Sequence, residues 1–296
     1  MEYVRAMRTP SMAMAPWIVP LAFSLVVGVG CHKRAKIDET IDKTIDKTND
    51  SKSAIAEKLS GLADKSAVPD KDEPMPQLQA AAFLFQPSFK TDSGLFKAGK
   101  AVAVKVPSAA SGVMVLSCMH ILGPAGGLPS QLAPNDLPRS LKEIKLIDIH
   151  GREIAIGPAL AVPGAEPFAL PDASTDISAF AAPSFLAMQR ALELGADKPS
   201  VGDSVWVLAR VVGGAPPTTL LHHGFVRRSD DQLLAYELDN NALNLTATSG
   251  AAVLNTHGQV VGLNLGGGLV GKKLIAFANP ITSVRKKIEL ALVAAK

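Results

Sequence analysis

The sequence predicts an all-β domain, and three observations carry that expectation. Beyond Gln79, short apolar runs recur: AAAFLF, KAVAVKV, GVMVLSC, EIKLIDI, REIAIG, SVWVLARVV, LLAYEL, AAVLN, QVVGLNL and KLIAFA. Glycine, proline and asparagine separate them, as turns require. The dipeptides His150-Gly151 and His257-Gly258 sit between such runs, where glycine supplies the positive φ of a hairpin. Strands of this length and spacing suit a barrel or a sandwich.

Two segments break the pattern with helical periodicity. Ser184 to Gly195 is one. The other runs from Ile281 to Ala295 after Pro280, with Val284, Ile288 and Leu292 on one face.

The chain has 296 residues, 47% of them apolar, enough for one large core or two small ones that share an interface. The net charge is only +3, and no basic run is interleaved with aromatic residues, so nucleic acid is not an expected partner.

The amino terminus has its own organisation. Arg5 and Arg8 precede an apolar stretch from Pro16 to Gly30, too short to cross a bilayer comfortably and suited to a secretion signal. Gly28-Val29-Gly30-Cys31 resembles the lipobox of bacterial lipoproteins, with Gly28 where an aliphatic residue is usual. That resemblance implies lipidation of Cys31 and a membrane-anchored, or otherwise periplasmic or extracellular, protein of the cell envelope. Cys118 is the only other cysteine, and a bridge to Cys31 across a long polar segment is not expected. From Lys33 to Glu73 the sequence is polar and charged, with a one-residue-wide apolar stripe (Ile37, Ile41, Ile45), as in a tether or stalk. The expected organisation is therefore a signal over 1–30, a tether over 31–78, and two folded halves over 79–186 and 187–296.

Nucleophilic hydrolysis needs a hydroxyl, a base, a carboxylate to orient the base, and backbone donors for the oxyanion. Three segments supply such residues in order. SGVMVLSCMHIL ends a strand on His120, STDISAFAAP sets Asp176 before a short apolar run, and LTATSGAAVLNTHGQVVGLNLGG places Ser249 in a glycine-containing loop followed by a strand pair. Together these resemble the trypsin-like serine peptidases. SVGDSVWVLARVV, LLHHGFVRR and LIAFANPITSVRKKI resemble flanking segments of the HtrA-type protease module. The resemblance covers roughly Phe83 to Lys287. It implies two six-stranded antiparallel barrels with a carboxy-terminal helix, acyl-enzyme cleavage of a polypeptide, and no cofactor. By the same resemblance His120, Asp176 and Ser249 are catalytic, and the N–H groups of Ala247 and Ser249 form the oxyanion hole. Leu243, six residues before the serine, falls at the floor of the specificity pocket, and Asn264, Leu265 and Gly266 fall along its wall.

Other residues compete for these roles. His150 and His257 adjoin turn glycines; His222 and His223 begin a strand; Asp148 and Asp172 are alternative carboxylates. No His-x-x-x-His or Cys-x-x-Cys spacing points to a metal, and Gly266-Gly267-Gly268 lacks the lysine and helix of a phosphate loop.

One departure from the family bears on activity. Ala247 stands where the resemblance calls for glycine, and alanine resists positive φ. Losing one oxyanion donor typically costs about 3 to 4 kcal/mol in the barrier. Two expectations follow: a serine endopeptidase, or an inert barrel used as a surface-anchored binding protein.

Overall fold

The computed structural model describes residues 70–295. The expected signal, the expected lipidation site at Cys31 and most of the expected tether lie outside the described residues. Among the described residues no helix is long and apolar enough to cross a membrane.

Among the described residues, fourteen strands and three α-helices build two halves. The first half contains β1 (Phe85–Thr91), β2 (Gly94–Lys97), β3 (Val102–Lys105), β4 (Val113–Ser117), β5 (Glu143–Asp148), β6 (Glu153–Ala155), β7 (Ala159–Leu160) and β8 (Ser178–Ala181). A short helix, α1 (Leu137–Ser140), lies between β4 and β5, and α2 (Phe185–Gln189) follows β8. The second half contains β9 (Ser204–Leu208), β10 (Leu221–Ser229), β11 (Leu234–Leu238), β12 (Ala252–Leu254), β13 (Val260–Val270), β14 (Lys273–Pro280) and the terminal helix α3 (Ile281–Ala294).

The second half closes as expected, in the order β10-β11-β14-β13-β12-β9. The first half corrects the expectation of a second closed six-stranded barrel. Its strands pair as two four-stranded sheets, β2-β1-β5-β6 and β3-β4-β8-β7. The split occurs where the chain bends. Gly99 turns the path between β2 and β3 with φ 61°, and Ile156-Gly157-Pro158 turns it between β6 and β7. At those corners the pairing thins to single contacts, Ala101 N to Phe85 O (3.1 Å) on one side, and Ile156 N to Ile144 O (3.0 Å) and Gly157 N to Ala181 O (2.8 Å) on the other. The two sheets still share one core, in which Phe85, Phe89 and Leu146 of one meet Ala103, Val115 and Phe180 of the other.

Both expected hairpin turns form, with Gly151 at φ 78° and Gly258 at φ 73°. The terminal helix also forms, burying Ile281, Val284, Ile288 and Ala291. The helix expected over 184–195 stops at Gln189. Beyond it the chain is extended, because Leu192 exchanges hydrogen bonds with Ala103 and Lys105 in the first half, while Glu193 and Gly195 bond Val260 in the second. Two-sided backbone pairing across the seam outweighs a local helical tendency.

The expected tether ended at residue 78, yet its last residues are pinned to the second half. Lys71 N bonds Gly202 O at 2.8 Å, Ser204 Oγ donates to Lys71 O at 2.5 Å, and Thr256 Oγ1 donates to Pro74 O at 2.8 Å. Asp70 pairs with Arg227.

Asp148 closes the β5–β6 hairpin from inside. Its side chain is 1% exposed. Oδ1 accepts the N–H groups of His150 (2.9 Å) and Arg152 (3.0 Å), and Oδ2 accepts from Arg190 (3.0 Å) and Arg152 (2.8 Å). Burial alone would raise its pKa, but these donors outweigh burial and hold the carboxyl well below the usual range. A carboxyl whose pKa is lower folded than unfolded stabilises the fold fully above its unfolded value, about 3.9. That stabilisation fades as pH falls through the window beneath. Asp148→Asn is expected to cost on the order of 3 kcal/mol at neutral pH. Its cost should shrink when urea unfolding is repeated at progressively lower pH.

Candidate active site

The end of β4 delivers His120 into a buried carboxyl. Asp176 is 0% exposed. Its Oδ1 accepts the backbone N–H of Met119 (2.6 Å) and of His120 (2.9 Å), and its Oδ2 faces His120 Nδ1 at 2.5 Å. With the carboxyl accepting, the proton at this contact sits on Nδ1, which leaves Nε2 as a base. Asn279 of β14 donates from Nδ2 to the Asp176 carbonyl at 2.9 Å, so the second barrel fixes the acid of the first half. Phe168 stands edge-on to the imidazole (centroids 5.5 Å, 72°) and packs in turn on Phe277.

The loop that carries Ser249 abuts the same strand end. Lys100 N donates to Ser249 O (2.6 Å), Ser117 Oγ donates to Lys100 O (2.6 Å), and Cys118 Sγ donates to Asn264 O (3.4 Å). A Cβ on Gly250 would fall 2.1 Å from Lys100 O and 2.4 Å from Ser117 Oγ, so only glycine fits behind the serine. His120, Asp176 and Ser249 are thus brought to one seam. Ser249 Oγ itself donates to Leu265 O (3.2 Å), and among the described residues no hydrogen bond joins it to the His120 ring.

Ala247 is the one non-glycine among the described residues with positive φ, 61°. The chain there makes a tight turn closed by Thr248 N to Leu245 O (3.1 Å), with Ala247 at the third position, where type II geometry demands positive φ. Alanine takes the conformation that glycine would take. Among the described residues, neither the Ala247 nor the Ser249 N–H is hydrogen-bonded to the protein. Both are available to an oxyanion.

A buried network holds this turn. Asn264 Nδ2 donates to Thr248 Oγ1 (2.9 Å) and Thr248 O (3.2 Å), Thr248 Oγ1 donates to Leu245 O (2.6 Å), and Tyr236 Oη donates to Asn264 Oδ1 (2.6 Å). Burial pushes the Tyr236 phenol well above its ordinary range, which keeps it a donor.

Asn264 was expected along the substrate wall; it is fully buried and its amide is spent on the loop. It is a positioning residue. Leu265 is buried as well, and its carbonyl serves Ser249. Leu243 lies in the core of the second barrel, beside Leu245. Gly266 sits at a bulge in β13 with open space beside it.

The competitors have structural work. Asp148 closes its hairpin, and Asp172 accepts from Ser174 N at 2.8 Å. His222 is buried with Nε2 on Ala209 O (3.0 Å), and burial lowers its pKa. His223 touches Asp239 Oδ2 (2.5 Å) and Ser204 Oγ (3.0 Å), a second Ser-His-Asp set. Ser204, however, is 1% exposed and gives its proton to Lys71 O. It is a bolt under residues 70–73.

Cys118, His120 and Asp176 place ligand atoms within 4.8 Å of one another. Burial, and after it the Asp176 charge, push the Cys118 thiol well up, and its Sγ donates to Asn264 O. Asn279, Phe168 and Gln131, whose Nε2 donates to Met119 O (3.0 Å), were not anticipated. Only Asn279 left a signal, a polar residue inside the apolar run LIAFANP.

No family model matches this chain, and no curated protein does. Similar solved structures include the serine endoprotease from Yersinia pestis, 15% identical, covering 74% of this chain and 65% of that one, with TM-score 0.48. Others are the thermostable serine protease AL20 from an extremophilic microorganism (14% identical, 73% and 98% covered, TM-score 0.49) and the active form of a protease from M. tuberculosis (13%, 76% and 92%, TM-score 0.47). The chain spans 65% of the Yersinia protein and 62% of an HtrA-type protease, AlgW, crystallised with a tripeptide, less than two thirds of either. These overlays are loose.

Ala247→Gly is expected to stabilise the fold by roughly 0.5 to 1 kcal/mol, because relief of the left-handed alanine exceeds the added freedom of the unfolded chain. Ala247→Val is expected to destabilise by about 2 kcal/mol, since a β-branched residue fits that region worse. Urea unfolding of both variants checks the pair. A stabilised valine variant would contradict the left-handed turn.

Proposed function

We propose that the chain is a serine endopeptidase of the trypsin-like class, working by acyl transfer. The observation that carries this reading is the buried Asp176 carboxyl gripping His120 Nδ1 at 2.5 Å, beside a loop that ends on Ser249. In the proposed reaction His120 Nε2 removes the Ser249 proton as Oγ attacks the peptide carbonyl. The developing oxyanion takes the free N–H groups of Ala247 and Ser249. His120 then protonates the departing amine, and water repeats the sequence on the acyl-enzyme. Before attack Ser249 Oγ must turn from Leu265 O toward the imidazole, a rotation about one side-chain bond.

The apolar neighbourhood of Leu243 and Leu245 disfavours a buried unpaired cation, so cleavage after small or medium apolar residues is expected. A peptide library cut chiefly after arginine would contradict this. The same reading includes two halves meeting over the site, a polypeptide substrate, and tethering to the cell envelope through a lipid on Cys31. Cys31→Ser should release the protein from membranes, and unchanged partition would remove the lipid from the account.

The alternative, an inert barrel that binds a partner at the surface, draws on the Ser249 hydroxyl being turned to Leu265 O. One experiment separates them. If the triad acts, Ser249→Ala and His120→Ala each abolish peptidase activity without unfolding, and the double variant is scarcely worse, since residues acting as a unit are non-additive. Asp176→Asn should cut turnover by about 10⁴-fold through the wrong tautomer. A parent protein whose Ser249 neither reacts with a fluorophosphonate nor gains reactivity in Ala247→Gly belongs to the inert alternative.

A further inference from the structure

Two cations on the flank of the nucleophile loop have no counter-charge among the described residues. A cavity of about 120 Å³ lies where the halves meet, lined by Phe85, Gln86, Lys100, Asp148 and Arg210 among others. Neither Lys100 Nζ nor the Arg210 guanidinium makes a hydrogen bond or ion pair among the described residues. Arg210 is exposed, whereas the partly buried arginines Arg190, Arg227 and Arg228 all lie against carboxylates. Asp148 offers no relief, because Arg152, Arg190 and two backbone N–H groups already occupy its oxygens. Lys100 is half-buried and lines the same cavity as Arg210, and its pKa is lowered first by that burial and then by the Arg210 charge.

The place of this pair matters as much as its charge. Lys100 is the residue whose N–H holds Ser249 O at 2.6 Å, and its own carbonyl is held by Ser117. On the other flank, β13 presents Leu265 O to Ser249 Oγ. A chain whose acyl part lies along β13 must send its departing part across Ser249 toward Lys100.

We propose that this cavity is a subsite for a carboxylate on the departing half of a peptide substrate, gripped by Lys100 and Arg210; the assignment rests on the endopeptidase reading above. The volume suits the ligand. A single water needs only about 10 to 15 Å³ of such space, so there is room for a carboxylate with accompanying water. Lysine contributes a point charge and arginine a planar fork, a pairing that a carboxylate satisfies from two directions. An anion there also cancels the mutual repulsion of the two cations, which a neutral glutamine does not. The carboxylate could be an acidic side chain or a free chain end, and the test includes both.

Binding to the Ser249→Ala protein, read by fluorescence anisotropy, tests this without turnover. The probes are labelled Ala-Ala-Val-Glu-Ala-Ala, its glutamine twin, and Ala-Ala-Val-Ala with a free or an amidated end. The glutamate peptide, the chain-end carboxylate or both are expected to bind about tenfold tighter than the uncharged twin, or about 1.4 kcal/mol. That preference should vanish in Lys100→Met/Arg210→Met and weaken with salt. Equal binding of charged and uncharged twins, or a preference that survives loss of both cations, overturns the subsite. Acetate alone competing as well as the glutamate peptide overturns its assignment to a peptide. Fluorophosphonate labelling of the unmutated protein is scored separately. Labelling with equal twins sinks the subsite and leaves the enzyme, whereas a clear glutamate preference without labelling sinks the enzyme and leaves a carboxylate site.

Discussion

The carboxyl of Asp176 is the point on which the rest of the site depends. A buried carboxyl without partners is too costly to persist, and here each oxygen is engaged. Oδ1 takes two successive N–H groups from the turn that ends β4, which fixes the backbone of Met119 and His120 before any side chain is considered. Oδ2 then meets Nδ1 at 2.5 Å, so the ring's orientation follows from the backbone's. The grip on the Asp176 carbonyl comes from Asn279, at the end of β14 and just before α3. One buried residue therefore couples a strand end of the first half to the last strand of the second.

The loop that carries Ser249 shows which effect wins when local preference and tertiary pairing disagree. A left-handed alanine costs about 1 to 2 kcal/mol. Against it stand the Asn264, Thr248 and Tyr236 hydrogen bonds, each worth about 1 kcal/mol net and more costly to leave unmade in a dry interior. Several such bonds outweigh one strained φ. Removing the network while keeping Ala247 would tip that balance, because the alanine has no reason of its own to hold the conformation.

Most of this architecture was legible in the sequence, and the exceptions share a cause. Alternation and turn glycines located nearly every strand of the second half, and the 284, 288 spacing located α3, because burial on one face writes a period into the chain. The bends that split the first half at Gly99 and Gly157 were not legible, since a glycine inside or beside a strand run does not say whether the ladder continues. Residues 191–194 misled in the same way, their extended course being set by partners at 103–105 and 260. His120, Asp176 and Ser249 could be named because the text around each has a recognisable order. Asn264 could not be assigned correctly from text, since an asparagine lining a cleft and one bolting a loop from beneath differ only in what lies above them.

The two Ser-His-Asp sets make that last difference concrete. Ser204, His223 and Asp239 make closer side-chain contacts than Ser249, His120 and Asp176 do, with 3.0 Å between His223 Nε2 and the hydroxyl. Proximity nevertheless does not make Ser204 a nucleophile. Its one proton goes to Lys71 O and its lone pairs face Glu73 N and the His223 ring, so the donor at the latter contact is Nε2 and no base is left. At Ser249 the neighbouring Ala247 and Ser249 N–H groups make no hydrogen bond among the described residues, and the hydroxyl donates only to Leu265 O. Groups whose hydrogen bonds are complete hold a structure together. Groups left with donors and acceptors in hand at a seam between two halves are the ones that can meet a substrate, and the unpaired Lys100 and Arg210 extend that incompleteness along the same seam.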